Sequence, residues 1–168
     1  MIIVGFDPGL ATLGYGVIKK EQRGKPIMLD YGVVSPPKEE NLAVRLCMIE
    51  KGVKQIIEKY KPDEMAIEEL FFNTNITTGI AVAEARGVIL CTAYRLGVKI
   101  SEYTPLQVKQ AVVGYGKAEK KQVIAMVTSI LKLPKPPKPD DAADAVAIAI
   151  CHAHSSSSAM AKYFNQRK

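Results

Sequence analysis

The sequence predicts an α/β fold: a five-stranded mixed sheet, three antiparallel strands then two parallel, flanked by helices. Three observations carry that expectation. Residues 2–7, 15–20 and 27–34 are short apolar segments joined by brief links, Gly9 to Gly14 and Arg23-Gly24-Lys25-Pro26, as in an antiparallel meander. Two later strand-like segments, the apolar 65–67 and the alternating 98–103, are each preceded by a helical pattern instead. The length of 168 residues, with 48% hydrophobic residues, suits one domain that buries a core without disulfides.

Taken in order, the first run, Ile2-Ile3-Val4-Gly5-Phe6, is too continuously apolar for a one-sided strand and delivers Asp7 where a buried strand emerges. Gly14-Tyr15-Gly16-Val17 opens the second strand. Leu42, Leu46, Ile49, Val53, Ile56 and Tyr60 recur at helical spacing between Pro37 and Pro62, predicting a long amphipathic helix over the sheet. Met65-Ala66-Ile67 is a short buried strand ending at Glu68. Residues 77–96 are rich in Ala, Gly, Val and Ile, with Glu84, Arg86 and Arg95 as their charges, so that helix is central or packs against another chain. A strand at 98–103, a short helix at 105–112 and a helix with Val123, Val127, Ile130 and Leu131 inward follow. Four prolines between Lys132 and Pro139 predict a stiff, extended connector. A final helix covers 142–154, with Asp140 or Asp141 as its cap. This order resembles the RNase H-like layout. We expect one domain over residues 1–154 and a flexible polar C-terminal tail over 155–168.

Charge divides the chain. Residues 1–104 hold 13 Lys+Arg against 13 Asp+Glu, residues 105–140 hold 7 against 2, and the tail from Ser155 holds 3 against none. The net charge of +6 therefore lies toward the C-terminus, as suits a protein that grips a polyanion. Cys47, Cys91 and Cys151 lack metal-type spacing and read as small buried thiols in a reducing cytoplasm. Neither a signal-like start nor an apolar run of the ~18 residues needed to span a bilayer stands out, so a cytoplasmic location is expected.

The acids carry the chemistry. Asp141 and Asp144, three apart on a helix, share a face and can reach one ion. Asp7 and Glu68 complete the set if their strands are neighbours. Each acid alone has a plainer reading: a turn at Asp7-Pro8-Gly9, a cap at Asp141, a surface group at Glu68. Asp144 resists such a reading, because a carboxylate inside the apolar helix over 142–150 has little structural role. An oxygen-only donor set favours Mg²⁺, with Mn²⁺ as a substitute, and two such ions would serve phosphodiester hydrolysis that leaves a 5′-phosphate and a 3′-hydroxyl. Glu69 and Asp140 are ambiguous neighbours. His152 and His154 read as helix-dipole partners or surface residues.

Residues 3–9 with Gly14-Tyr15-Gly16-Val17, Ala66-Ile67-Glu68-Glu69, Gln107-Val108-Lys109-Gln110-Ala111-Val112-Val113-Gly114, Ala118-Glu119-Lys120-Lys121-Gln122-Val123, Leu131-Lys132-Leu133-Pro134 and Asp141-Ala142-Ala143-Asp144-Ala145 resemble the RuvC family of bacterial Holliday junction resolvases over nearly the whole chain. The resemblance implies a homodimeric, Mg²⁺-dependent endodeoxyribonuclease of recombination and repair, which nicks two opposed strands of a four-way DNA junction symmetrically. It implies catalytic, metal-holding roles for Asp7, Glu68, Asp141 and Asp144, and DNA contacts by Lys109, Lys120 and Phe71. It also implies a branch-migration motor complex (RuvA–RuvB) as partner. Phe71 and Phe72 follow Glu68 closely, and one of them is expected to stack on an unpaired base. The doublet Glu68-Glu69, where the family also allows an amide second, leaves open whether Glu69 assists.

Two other classes share features with this chain. Asp7-Pro8-Gly9 also resembles the phosphate loop of actin-like ATPases and sugar kinases, but those folds need two such lobes and this chain has length for one. A junction-binding scaffold without activity would not need all four acids.

Overall fold

Strands β1 (Ile2–Asp7), β2 (Leu13–Lys19) and β3 (Ile27–Val34) pair antiparallel, and helix α1 (Leu42–Tyr60) returns the chain to β4 (Glu64–Glu68). Helix α2 (Ile76–Arg95), β5 (Lys99–Tyr103), α3 (Pro105–Val113), α4 (Lys120–Ile130) and α5 (Asp140–Ser155) complete the order. The computed structural model describes residues 1–21, 25–70 and 76–156. The sheet order is β3-β2-β1-β4-β5, with β4 parallel to both β1 and β5. The expected mixed sheet is thus present. No described helix is long and apolar enough to cross a membrane.

Both faces of the sheet are covered, which is why β1 and β4 read as continuous apolar runs. Val4, Phe6, Leu13, Val17, Met65 and Ile67 pack against α1 and α2. Ile3, Ile18 and Ala66 pack against α3, α4 and α5. Alternation along a strand then decides where the acids go. Asp7 follows Ile3 and Gly5 at steps of two, and Glu68 follows Ala66, so both carboxylates emerge on the α5 side.

Helix α5 lies directly on the backbone of β1 and β2. A β-carbon at Gly5 would strike the carbonyl oxygen of Ala145, one at Gly14 would strike that of Asp141, and one at Gly16 would come within 2.8 Å of Val146 Cα. Ala142, Ala145 and Ala149 answer with the smallest side chains on the helix, all buried. Three glycines on one sheet face therefore form a seat for a helix carrying two acids.

Several sequence expectations need correction. Cys47 and Cys91 are exposed and only Cys151 is buried. The buried stripe of α1 runs through Ile49, Gly52, Val53, Ile56 and Ile57, and that of α2 through Ala85, Ile89 and Ala93, so both thiols fall off the inward faces. The prolines at 134–139 sit in a connector that turns and bends instead of running straight. Pro139, not an aspartate, is the N-cap of α5, and Asp140 and Asp141 lie in its first turn, where carboxylates complement the positive helix end.

His152 is the largest revision. It is 3% exposed, its Nδ1 lies 2.7 Å from the Tyr103 hydroxyl, and its Nε2 meets the Glu64 carboxylate. Burial holds its pKa below the ordinary histidine value. A partner 88 residues away in sequence lies beyond a local reading, which offers only a helix-dipole partner or a surface residue. His154 is exposed, as expected, and its Nδ1 lies 3.1 Å from the Ala111 carbonyl oxygen.

Candidate active site

Parallel pairing of β1 with β4 aligns Phe6 with Ile67, which brings Asp7 and Glu68 out side by side at the carboxyl ends of neighbouring strands. The glycine seat lays the start of α5 over them. Asp144 faces both, since its charge acts on each, and the charge of Asp141 reaches Asp7. Asp7, Glu68 and Asp144 therefore line one cleft, and Asp141, one turn earlier on α5, lies near enough for its charge to act on Asp7.

A cleft of about 240 Å³ is lined by Asp7, Glu68 and Asp144 together with Lys109 and Lys120, over an apolar floor that includes Val108, Val123 and Ile148. That floor has electrostatic consequences. Burial, then the charges of Asp144, Glu68 and Asp141, push the Asp7 carboxyl up to about 8, with Lys120 acting the other way. Burial, then Asp144, raise Glu68 to about 7, opposed by Lys109. Carboxylates crowded on a half-dry floor repel one another, and only added positive charge relieves this.

The lysines reach the cleft for local reasons. Thr104 Oγ1 accepts from the Gln107 amide at 3.2 Å while Gln107 Oε1 accepts from the Thr104 amide at 2.8 Å, a capping box that starts α3 and sets Lys109 one turn further on. Val108 and Val112 anchor that helix. Lys120 is the first residue of α4, where a cation is unfavourable against the helix dipole. Its neighbours offset this: Lys120 Nζ lies 2.8 Å from Asp144 Oδ2 and 3.9 Å from Asp140 Oδ2. The hydrogen bond to Asp144 holds the Lys120 ammonium above the usual lysine pKa. Lys138 also pairs with Asp140, at 3.4 Å, so Asp140 serves as a lysine partner.

With Asp144 paired to Lys120, no three Asp, Glu, His or Cys side chains among the described residues surround a common point as they stand. The donor chemistry nevertheless suits a hard divalent ion: four carboxylates, no sulfur or imidazole, and two groups whose protons a cation would displace. Phe71, the expected base-stacking residue, and its neighbour Phe72 lie outside the described residues. Glu69 is exposed, and its backbone N–H donates to the Tyr103 carbonyl at 2.8 Å.

Two residues escaped the sequence reading. Arg45 of α1 donates to the Leu10 carbonyl at 3.1 Å, holding the loop that follows Asp7. Arg86 of α2 donates from Nε to the Glu68 carbonyl, also at 3.1 Å. Arg86 was visible as one of three charges on a small-residue helix, but nothing local named its partner.

A mixed sheet of this order, with carboxylates gathered at the ends of the adjacent strands β1 and β4 and lysines around them, defines an RNase H-like nuclease. The chain belongs to the RuvC family: the family model for crossover junction endodeoxyribonuclease RuvC matches residues 3–152. The crossover junction endodeoxyribonuclease RuvC of Clostridioides difficile (strain 630) is 55% identical over 156 residues, 92% of this chain and 91% of that protein. Among solved structures, Thermus thermophilus RuvC superimposes with a TM-score of 0.87 at 37% identity, covering 94% of this chain and 96% of the other. T. thermophilus RuvC in complex with Holliday junction substrate gives 0.88 at 36% identity, covering 93% and 94%.

Proposed function

We propose that the chain is a crossover junction endodeoxyribonuclease that resolves four-way DNA junctions by paired, symmetric nicks, leaving 5′-phosphate and 3′-hydroxyl ends. The observation that carries this is the meeting of Asp7, Glu68 and Asp144 with Lys109 and Lys120 in one cleft of a RuvC-family chain. Asp7, Glu68, Asp141 and Asp144 would hold Mg²⁺, two ions per site, and Mn²⁺ would substitute. When bound, such ions supply Lewis acidity toward the scissile phosphate and its leaving oxygen.

The remaining work falls to the chain's own residues. The raised pKa values of Asp7 and Glu68 mean that loading a cation releases protons from them near neutral pH. Lys120 lies 2.8 Å from Asp144 and 3.9 Å from Asp140; were Asp144 to hold an ion, the ammonium would keep Asp140 beside it and could also meet a DNA phosphate. Lys109 meets the backbone on the Glu68 side of the cleft, and Phe71 is proposed to stack on an unpaired base. Residues 1–154 act as one nuclease domain, with 155–168 beyond it; the family match over 3–152 supports the extent of the domain, and α5 itself runs on to Ser155.

The working form is a homodimer, because an isologous pair sets two clefts against two equivalent strands. Exposed Leu42, Val44 and Met48 on α1 with Ile80 and Tyr94 on α2 support an interface on that layer. Action in the cytoplasm, alongside a RuvA–RuvB branch-migration motor, completes the reading.

The test is nicking and gel-shift affinity measured side by side on a synthetic junction, with duplex DNA and RNA–DNA hybrid for comparison. Asp7→Asn, Glu68→Gln, Asp141→Asn and Asp144→Asn should each lower nicking at least about a hundredfold while junction affinity stays within severalfold. Near-normal nicking by Asp7→Asn overturns the site. Equal cutting of all three substrates overturns junction specificity.

A further inference from the structure

From the back of the sheet, Arg86 reaches the strand ends that present the acids. Its helix stands on the face opposite α5, with Ala85 and Ile89 on either side of it in sequence fully buried. The side chain is itself only 15% exposed. Its Nε–H donates to the Glu68 backbone carbonyl at 3.1 Å, and its terminal nitrogen pairs with the Glu102 carboxylate on β5.

Parallel registry sets Ile67 beside Glu102 and Glu68 beside Tyr103. One guanidinium thus ties α2 to the last residue of β4 and to its neighbouring strand. The Glu68–Glu69 peptide lies where the strand ladder runs out: its N–H still donates to the Tyr103 carbonyl at 2.8 Å, so Arg86 holds the second side of that unit, and losing it would leave the peptide hinged on one bond. The carboxylate of Glu68 projects to the other face, over the apolar floor. A rotation of the Glu68 peptide would swing it away from Asp7 and Asp144.

We propose that Arg86 is a positioning residue for the nuclease reaction: by holding the Glu68 carbonyl from behind, it fixes the direction in which the Glu68 carboxylate meets the divalent ion. This rests on the reading of Glu68 as an ion ligand. In this role Arg86 acts through the Glu68 backbone alone, so its removal acts on ion affinity and turnover and spares junction binding.

The experiment measures Mn²⁺ binding by electron paramagnetic resonance without DNA, together with kcat, junction KM and melting temperature. Arg86→Met combined with Glu102→Gln removes the donor while leaving no orphaned buried charge. It should bind Mn²⁺ about 5–10-fold more weakly and lose roughly tenfold or more in kcat, with KM and melting temperature close to wild type. Glu102→Gln alone keeps the bond to the carbonyl and should hold Mn²⁺ affinity within about twofold. If the double variant does not fold, Arg86→Lys, which keeps a cation for Glu102 but has no Nε donor, should show the same loss. Wild-type Mn²⁺ affinity in the folded donor-deficient variant, or an equal loss in Glu102→Gln alone, overturns the proposal. Glu68→Gln separates the two layers of inference: if it binds Mn²⁺ like wild type, the ligand assignment itself is wrong, whereas if it loses Mn²⁺ and the Arg86 variants do not, only the positioning role fails.

Discussion

Asp7 and Glu68 are acids whose folded environment works against their charge, so the site stores repulsion that a cation releases. The sign follows from their raised pKa values. Between the ordinary carboxylate range and about 8 for Asp7 or about 7 for Glu68, the folded protein binds more protons than the unfolded chain, and stability falls as pH rises through that window. The melting temperature of the metal-free protein should therefore decline from about pH 5 to about pH 8, and millimolar Mg²⁺ should restore it. Asp7→Asn should flatten the decline and melt higher at pH 8, by roughly 1–3 kcal/mol, at about 2–4 °C for each. A pH-independent melting temperature in wild type would remove the repulsion argument. The lysines make a second test. Lys109→Ala or Lys120→Ala should weaken junction affinity and reduce the slope of log affinity against log salt by about one unit per lost phosphate contact. Lys54, exposed and paired with Glu58 at 3.8 Å, is the control. Lys20 is unsuited to that role because its Nζ donates to Ser156 Oγ at 2.8 Å.

The glycine seat dominates at the scale of elements. Gly14→Ala and Gly16→Ala push β2 and α5 apart and should each cost about 1–3 kcal/mol, read in chemical denaturation. Gly14→Ala should also depress nicking more than its stability loss explains, because its collision is with Asp141 itself. Equal nicking by the two at matched folded fraction would separate the seat from the chemistry. How far such features were legible follows from the range of the interactions behind them. Period-two alternation and helical stripes are local, so all five strands, the helices and the ends at which the four acids sit could be read directly. Gly14 and Gly16 were visible only as a motif, since their reason for being glycine is a helix more than 120 residues later. His152 with Glu64, and Arg86 with Glu68 and Glu102, are non-local pairings of the same kind. Cys47 and Cys91 misled because an apolar neighbourhood in sequence does not say which side of a helix points inward.

At the scale of the molecule, the two helical layers divide the labour. The layer of α3, α4 and α5 carries the acid helix and both cleft lysines, while α1 and α2 leave Ile80 and Tyr94 exposed on the other side. Ile80→Glu should yield monomers in light scattering, with a melting temperature within a few degrees of the wild-type value, and should convert paired nicks into uncoupled single ones. A dimer that persists with two added charges would place the interface elsewhere.

The dependence of the cleft on α5 also has a consequence in time. As the chain is synthesised, Asp7 and Glu68 emerge early, but Asp141 and Asp144 arrive with the last described helix, at roughly 5–20 residues per second several seconds after Glu68. That helix brings eleven buried residues as well as the two acids, so the core of one sheet face and the full set of carboxylates form in the same event. A nascent or truncated polypeptide ending before Asp140 has neither a closed core on that sheet face nor all four of the carboxylates proposed to cut, so nicking should appear only in molecules that have finished folding.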